Sequence, residues 1–357
     1  MYLLAIDGWF IIEKLVLIAL IVVLAMIVAM YATYVERKVA AFIQDRLGPN
    51  RAGPFGILQP LADGGKLFFK EEIVPLASAK FLFVLGPVLA MITALLTSAV
   101  IPWGTPAKIA GKIVPLQVAD INIGILYIFG VVSLGVYGIM IGGWASNNKY
   151  SLMGAIRGAS QMISYELAMG MSLIALLMLT GSLQMSEIVA SQKGGILGDL
   201  GSWNIWKQPL GFFIFFVCAL AECNRTPFDL PESESELNQG YHQEYSSMKL
   251  GFFLFAEYIN MFMSGIIMST LFWGGYDIPF VNEANLAASI GDNWVAFLSF
   301  ACLMTKAFIS MFLFMWIRWT VPRFRFDQLM RLGWKQLVPL ALFNMILTAA
   351  IALWLNK

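Results

Sequence analysis

The sequence predicts an all-α integral membrane protein that forms a single polytopic domain over residues 1–357. Hydrophobic residues make up 59% of the chain and charged residues only 13%, whereas roughly 25% of residues are charged in soluble globular proteins. The mean hydropathy is +0.75. Apolar runs of about 20 residues, the length needed to cross the hydrocarbon core, recur along the chain. These observations place most of the chain in a bilayer.

Eight apolar segments are predicted to span the membrane, of which the fifth is the shortest. They comprise residues 9–32, 80–101, 121–143, 161–181, 209–224, 250–273, 294–317 and 336–355. The first is interpreted as a retained anchor, because it lacks a basic leader and exceeds the apolar length of a signal peptide. In the long loop after it, ILQPLADGGKLFF has apolar residues at helical spacing and predicts an amphipathic interfacial helix.

The distribution of Lys and Arg predicts the orientation. Loops 33–80, 144–160, 225–249 and 318–335 carry 16 of these cations, and the other segments carry six apart from Lys306, which lies inside a span. By the positive-inside rule the first set of loops is cytoplasmic. An even number of spans then places both Met1 and Lys357 outside. The cations of loop 318–335 are interpreted mainly as interface anchors.

Composition argues against several kinds of function. A net charge of +1 provides no basic surface for nucleic acid. The three cysteines have no CxxC spacing and the chain has a single histidine, His242, which is too few ligands for an iron–sulfur cluster or a haem. The sequence thus predicts no metal site, and any redox centre has to be supplied by another chain.

Residues 221–247, AECNRTPFDLPESESELNQGYHQEYSS, concentrate acidic residues between two apolar segments. The acids are Glu222, Asp229, Glu232, Glu234, Glu236 and Glu244. Charge placed beside hydrocarbon is costly and commonly functional. The order D-L-P-E also suits a helix cap at Asp229, and the three alternate glutamates are compatible with a polar cavity, a partner protein or a solvated face.

Three carboxylates, Glu166, Glu222 and Glu257, are predicted to lie within the membrane together with Lys306. Glu222 is at the end of its span, where it can also reach water. Burial moves carboxyl and ammonium pKa values toward the range in which protons exchange near neutral pH. We expect the four groups to form a polar path, with Lys306 as a counter-charge.

Four motifs make the chain recognisable. They are VERKVAAFIQDRLGPNRAGPFGILQPLADGGKLFFKE, GGWASNNKYSLMGAIRGASQMISYE, AECNRTPFDLPESESEL followed by EYSS and AEY, and RWTVPRFRFDQLMRLGWK. In this order and spacing, from about residue 34 to the C-terminus, the chain resembles the H subunit of proton-pumping respiratory complex I, the NADH dehydrogenase subunit 1 family. Cys223, Ser233 and Asn238 depart from the usual residues of that family.

The resemblance implies an eight-helix subunit that forms most of the tunnel for a lipid quinone, ubiquinone or menaquinone, and links quinone reduction to proton translocation. The implied tunnel residues are Glu36, Arg37, Gln44, Arg46, Asp63, Lys66 and Glu71. The implied acidic relay comprises Glu166, Glu222, Glu232, Glu234, Glu236, Glu244 and Glu257, with Arg225 and Asp229 shaping the loop.

The resemblance also implies partners and a location. Flavin and iron–sulfur clusters would lie on partner subunits, which include the quinone-site and terminal-cluster subunits of the hydrophilic arm and small neighbouring membrane subunits. The location would be the bacterial inner membrane. Two alternatives stay open: the homologous subunit of a membrane-bound hydrogenase-type complex, and a self-sufficient ion transporter. The chain shows no clear internal repeat or broken-helix signature of a transporter.

Overall fold

The computed structural model describes residues 8–109, 111–193, 202–279, 281 and 283–355, with the side chains of 283–285 and 355 left aside. Met1 and Lys357, which are predicted to lie outside the cell, fall outside these ranges. Fourteen α-helices occur in the described residues: α1 Gly8–Ile43, α2 Gln59–Phe69, α3 Lys80–Leu96, α4 Gly124–Ala145, α5 Lys149–Thr180, α6 Met185–Ala190, α7 Asn204–Lys207, α8 Pro209–Glu222, α9 Glu234–Leu237, α10 Ser247–Phe272, α11 Glu283–Ile290, α12 Asp292–Thr320, α13 Phe326–Arg331 and α14 Val338–Leu355.

Shorter elements complete the described chain. Single 3₁₀ turns occur at Pro54–Gly56, Thr97–Val100 and Gly240–His242, and a π-helical turn at Leu332–Leu337 joins α13 to α14. A small hairpin, which no sequence pattern predicted, pairs β1 (Ala107–Ile109) antiparallel with β2 (Lys112–Val114). Strands of three residues are too short for an alternating apolar pattern to reveal them.

The all-α membrane class is confirmed, and the helix count needs one correction. Seven helical segments of the described chain are long and apolar enough to cross a membrane: Gly8–Ile43, Lys80–Val100, Gly124–Ala145, Lys149–Thr180, Ser247–Phe272, Asp292–Thr320 and Phe326–Trp354. The predicted fifth span folds as α8, which has only 14 residues. At 1.5 Å per residue α8 is about 21 Å long, less than the roughly 30 Å of hydrocarbon.

Two helices extend beyond the spans predicted from hydropathy. α1 continues through VERKVAAFI to Ile43, with Glu36 buried among small alanines. α5 starts at Lys149, where the Asn148 side chain accepts the backbone N–H of Tyr150 at 2.9 Å, so most of the predicted loop 144–160 is helical. An apolar-window test stops at the first charges, whereas a helix continues wherever its face can pack or be capped.

The predicted cytoplasmic segments meet at one end of the bundle. The backbone N–H of Ile73 donates to Ser246 Oγ at 2.9 Å, and the N–H of Phe324 donates to the Pro227 carbonyl at 3.2 Å. At the opposite end the hairpin meets α12, where Asn293 Oδ1 accepts the N–H of Lys108 at 2.8 Å. The two sets of loops therefore occupy opposite ends, as the cation asymmetry requires.

α10 lies at the centre of the bundle, where it contacts α1, α3, α8 and α12. The predicted amphipathic helix is present as α2, which packs against α1 and α10. Ser247 Oγ donates to the Leu67 carbonyl at 3.1 Å, and Phe68 and Phe69 on α2 are exposed. α2 therefore holds an apolar surface beside the cytoplasmic ends of α1 and α10.

Candidate functional site

Arg225 is the centre of a buried charge cluster at the predicted cytoplasmic end of the bundle. The residue follows α8 and is 4% exposed. Its two terminal nitrogens lie 3.7 Å from carboxylate oxygens of Glu36 on α1 and Glu257 on α10. Its guanidinium carbon lies 4.2 Å from the ring centre of Tyr258. Burial of such a cation costs free energy unless acids and an aromatic face offset the lost hydration.

Two further arginines join this cluster from the chain after α10. Arg318 Nη1 lies 2.6 Å from Glu36 Oε1, and Arg323 Nη2 donates to Asp229 Oδ2 at 2.5 Å. The sequence interpretation of the last loop as mainly interface anchors missed both pairings. Its partners come from distant parts of the chain, so no local pattern reveals them. Asp229 is therefore an ion-pair partner and not a helix cap; the next helix, α9, begins at Glu234.

Glu257 is linked to a second acid and to a tyrosine. The Tyr241 hydroxyl donates to Glu257 Oε1 at 2.9 Å, and the carboxyl groups of Glu232 and Glu257 hydrogen-bond each other. His242 Nδ1 lies 3.8 Å from Glu232 Oε1. A hydrogen bond between two carboxyl groups requires one shared proton, so this pair titrates as a unit. No sequence pattern identified Tyr241 or assigned His242 to a site.

The two loop acids have opposite pKa shifts. Burial, reinforced by the charge of Glu232, raises the pKa of Asp229 to about 7, although Arg323 opposes that shift. Burial also disfavours ionisation of Glu232, but the hydrogen bond with Glu257 and the charges of His242 and Arg225 together lower its pKa to about 2. The cluster thus combines an ionised acid with one that titrates near neutral pH.

A polar cavity of about 370 Å³ opens beside these groups. Its walls carry side chains from the loop after α8 and from α12, namely Asp229, Glu232, Glu234, His242, Arg318 and Arg323. Asp229 Oδ1, Glu232 Oε1 and His242 Nδ1 are buried atoms with no hydrogen-bond partner among the described residues. The cavity is polar and large enough for water molecules to satisfy them.

A narrower cavity of about 40 Å³ lies deeper and connects two of the predicted membrane acids. Glu222 and Glu257 both line it, together with the polar side chains of Asn260 and Ser264. This volume can accommodate a water molecule, and the polar partners for one are present. Glu166 continues the series: it accepts a hydrogen bond from the Ser133 hydroxyl, and its charge interacts with that of Glu222.

Lys306 lies elsewhere. Its ammonium donates to the carbonyls of Gly275 at 2.7 Å and Asp277 at 2.8 Å, and lies 4.7 Å from the ring centre of Trp203. These groups follow the end of α10 that is remote from Arg225. The structure therefore brings Glu166, Glu222 and Glu257 together as predicted but gives Lys306 partners other than these glutamates. Sequence spacing gave its depth in α12 but not the side of the helix on which it lies.

The remaining acids of the 221–247 stretch are divided among different surroundings. Glu234 is exposed at the rim of the polar cavity. Glu236 pairs with Arg157 at 2.6 Å on the surface. Glu244 accepts the Asn148 amide at 2.6 Å where α4 meets α5. Of the alternate glutamates, only Glu232 reaches the buried cluster.

The other residues implied for a quinone tunnel lie on the surface around the ends of α1 and α2. Arg37 pairs with Asp63 at 2.7 Å, and Arg46 Nε donates to Gln44 Oε1 at 2.7 Å. Lys66 and Glu71 are exposed. Of the seven implied tunnel residues only Glu36 belongs to the buried cluster, and the other six surround it as a polar rim.

Comparison with known proteins gives a consistent result. A family model described as NADH dehydrogenase matches residues 15–349. The first of the H subunits of NADH-quinone oxidoreductase in Cytophaga hutchinsonii is 60% identical over 96% of this chain and 98% of its own length. The H subunit of the Flavobacterium johnsoniae enzyme is 57% identical over 97% of both chains, and the first H subunit in Geobacter metallireducens is 48% identical over 94% of both. The chain belongs to the NADH dehydrogenase family represented by these H subunits.

Proposed function

We propose that this chain is the H-type membrane subunit of a proton-translocating NADH:quinone oxidoreductase, carrying part of a quinone path and of a proton path but no complete active site. Its relatives, named as H subunits of that enzyme, match it over nearly their full lengths. The observation that carries the proposal is the continuous series from the Arg225 cluster to Glu257, Glu222 and Glu166, which connects a polar cavity with the membrane interior.

The quinone path would run along α1. An apolar groove of about 400 Å³ between α1 and α12 is lined by Tyr31 and Val35, and the next residue, Glu36, belongs to the charge cluster. Such a groove suits an isoprenoid tail, since pockets for lipid-like ligands are mainly apolar with a few polar groups at one end. The polar rim around Arg37 and Asp63 would face the hydrophilic arm.

The quinone, as substrate, takes up electrons from partner subunits and protons from its surroundings. The residues of this chain would hold and pass those protons. Glu232 and Glu257 share a proton, Tyr241 donates to Glu257, and water in the deeper cavity would connect Glu257 with Glu222. A change of charge at one carboxyl alters the proton affinity of the next because the groups interact strongly.

The proton role is tested by replacing Glu257 with Gln, which keeps the shape and removes the titratable group. We expect the assembled complex to lose most quinone-linked turnover and pumping. The matched control is Glu187→Gln, an acid on α6 outside the series, which should leave both unchanged. Wild-type turnover together with an unchanged ratio of protons moved to electrons transferred in Glu257→Gln would exclude the relay.

The quinone role is tested separately at the rim. Arg37→Ala should weaken quinone reduction, because the Arg37–Asp63 pair organises the surface beside α1, while electron transfer from NADH to a soluble acceptor should stay intact. Equal loss of the two activities would point to failed assembly instead of a quinone defect.

The proposed location is the bacterial inner membrane, with loops 48–75, 225–249 and 322–335 cytoplasmic and both termini periplasmic. Single cysteines at Gln239 and Lys335 should resist an impermeant thiol reagent in intact cells, whereas one at Lys108 should react. The opposite pattern would invert the topology.

Copurification separates the proposal from a self-sufficient transporter. The proposed subunit should be isolated with flavin-containing and iron–sulfur-containing chains, together with small membrane subunits. A chain that is isolated alone and transports ions in vesicles would support the transporter. The relatives above, all named as NADH-quinone oxidoreductase subunits, favour the proposal over a hydrogenase-type complex.

A further inference from the structure

An apolar groove of about 390 Å³ lies at the end of the bundle opposite the Arg225 cluster. Its walls are α1, from Leu17 to Leu24, and α12, including Phe297 and Phe300, and Leu116 beyond the hairpin closes its upper part. Seven residues of α1 correspond to about 10 Å along the helix, most of the depth of one leaflet. The groove therefore runs into the membrane from the level of the hairpin.

Three lysines surround the head of this groove. Lys14, one turn before Leu17 on α1, donates to the Gln117 carbonyl at 2.8 Å. Lys108 on β1 pairs with Asp292 at 2.5 Å, although its side chain is 59% exposed. Lys112 on β2 lies 5.2 Å from the ring centre of Trp9. These are three of the six cations that the chain carries outside Lys306 and the predicted cytoplasmic loops.

The acids facing these lysines do not neutralise them all. Glu13 lies 3.7 Å from Lys14, and Asp292 pairs with Lys108. The contact described for Lys112 is an aromatic ring, which leaves its three ammonium protons directed to the surroundings. The head of the groove therefore keeps a positive excess at the membrane boundary, where long lysine side chains extend toward the headgroups.

We propose that this groove binds an acyl chain of an anionic phospholipid whose phosphate is bound by Lys108 and Lys112. The apolar walls match an acyl chain, and the positive head matches a negatively charged headgroup in the same molecule. A lysine near a bilayer surface attracts anionic lipid. A zwitterionic lipid fills the walls equally well but gains less from the lysines, so the structure favours an anionic lipid.

The test uses the intact complex in nanodiscs that contain equal amounts of phosphatidylglycerol and phosphatidylcholine. One of the two lipids at a time carries a photoreactive acyl chain, and labelled peptides are mapped by mass spectrometry. We expect phosphatidylglycerol to label residues 17–24 and 296–300 about fivefold more than phosphatidylcholine does, the ratio for one net lysine contact. High salt should reduce the ratio, because exposed charges are screened.

Lys108→Gln with Lys112→Gln should bring the ratio to about one without removing labelling by either lipid. Lys112→Gln alone, which leaves the Lys108–Asp292 pair intact, should give an intermediate ratio, so the test does not depend on the double variant being stable. The matched control is Lys207→Gln, an exposed lysine on α7, which should leave the ratio unchanged.

Three results would overturn the proposal. Equal labelling by the two lipids in the wild-type complex would identify the groove as part of the ordinary lipid annulus. Absence of labelling by both would show that a partner subunit covers it. A ratio unaffected by the lysine substitutions would mean that these lysines do not bind the headgroup.

Discussion

The Arg225 cluster and the Lys306 site bury cations to a similar degree but satisfy them differently. Arg225 is 4% exposed and Lys306 7%. Arg225 faces the carboxylates of Glu36 and Glu257, which can gain and lose protons. Lys306 donates to two main-chain carbonyls, whose charge is fixed. The first arrangement responds to a change in protonation; the second holds a loop in place.

This difference separates functional from structural charge in one bundle. A buried charge is costly in both places, so burial alone does not identify a proton path. The distinguishing features of the Arg225 cluster are several titratable partners and an adjacent polar cavity. The comparison predicts that substitutions in the cluster change coupling and pH dependence, whereas substitution of Lys306 changes only stability.

The largest effect is expected for Arg225→Met. The change leaves Glu232 and Glu257 without their shared cation, and breaking a buried ion pair costs about 3–5 kcal/mol. We expect a large fall in thermal stability and in the fraction of the chain assembled into the complex, measured by native gels and thermal unfolding.

A second substitution sharpens this prediction. Glu257→Gln added to Arg225→Met should recover part of the lost stability, because Glu36 keeps Arg318 as its partner. A double-mutant cycle measures the recovered coupling. Simple addition of the two losses would mean that Arg225 and Glu257 do not interact.

Lys306→Met should have a smaller effect. It removes two hydrogen bonds and leaves buried carbonyls unsatisfied, at about 1–3 kcal/mol each, while relieving the cost of a buried cation. We expect lower thermal stability of the assembled complex with an unchanged proton-to-electron ratio and pH profile. A changed ratio would place Lys306 in the proton path and remove the distinction between the two sites.

Asp229→Asn tests the cluster through pH. Because the folded-state pKa of Asp229 is raised to about 7, above its ordinary value of about 3.9, the folded protein binds more protons than the unfolded chain between these values. Stability from this group is therefore present at low pH and lost as pH rises to about 7. The melting temperature of Asp229→Asn should gain on that of the wild type as pH rises from about 5 to 7. A constant difference would contradict the shift.

The sequence revealed the parts of the fold and site that leave a local signal. Apolar runs located the spans, and charges inside those runs identified Glu166, Glu222 and Glu257. Hydropathy underestimated α5, since its first turns carry polar residues that pack against the loop after α8: a Cβ added to Gly154 would lie 2.8 Å from the Pro231 carbonyl.

The missed parts depend on contacts between distant residues. Glu36, Arg225 and Arg318 come from three separate parts of the chain and meet only in the folded bundle. Tyr241 lies in a polar stretch with no periodicity, so nothing local pointed to its hydrogen bond with Glu257. Lys306 was assigned to the wrong group of partners because depth along a helix does not specify its neighbours.

The smallest effect is expected for Arg157→Gln. Arg157 pairs with Glu236 at the surface, and exposed ion pairs contribute about 0–1 kcal/mol. Thermal stability and quinone-linked turnover of the assembled complex should stay near wild-type values. A strong loss of turnover would extend the functional region from the buried cluster to the surface acids.

The most direct test of the account is infrared difference spectroscopy of the complex during quinone reduction. If the buried acids take part in proton transfer, the wild-type spectrum should contain carboxyl C=O difference bands that shift in deuterated water. Glu257→Gln should remove or displace such a band, whereas Lys306→Met should retain it. Identical carboxyl bands in the wild type and Glu257→Gln, with quinone still reduced, would contradict the claim that the Arg225 cluster exchanges protons.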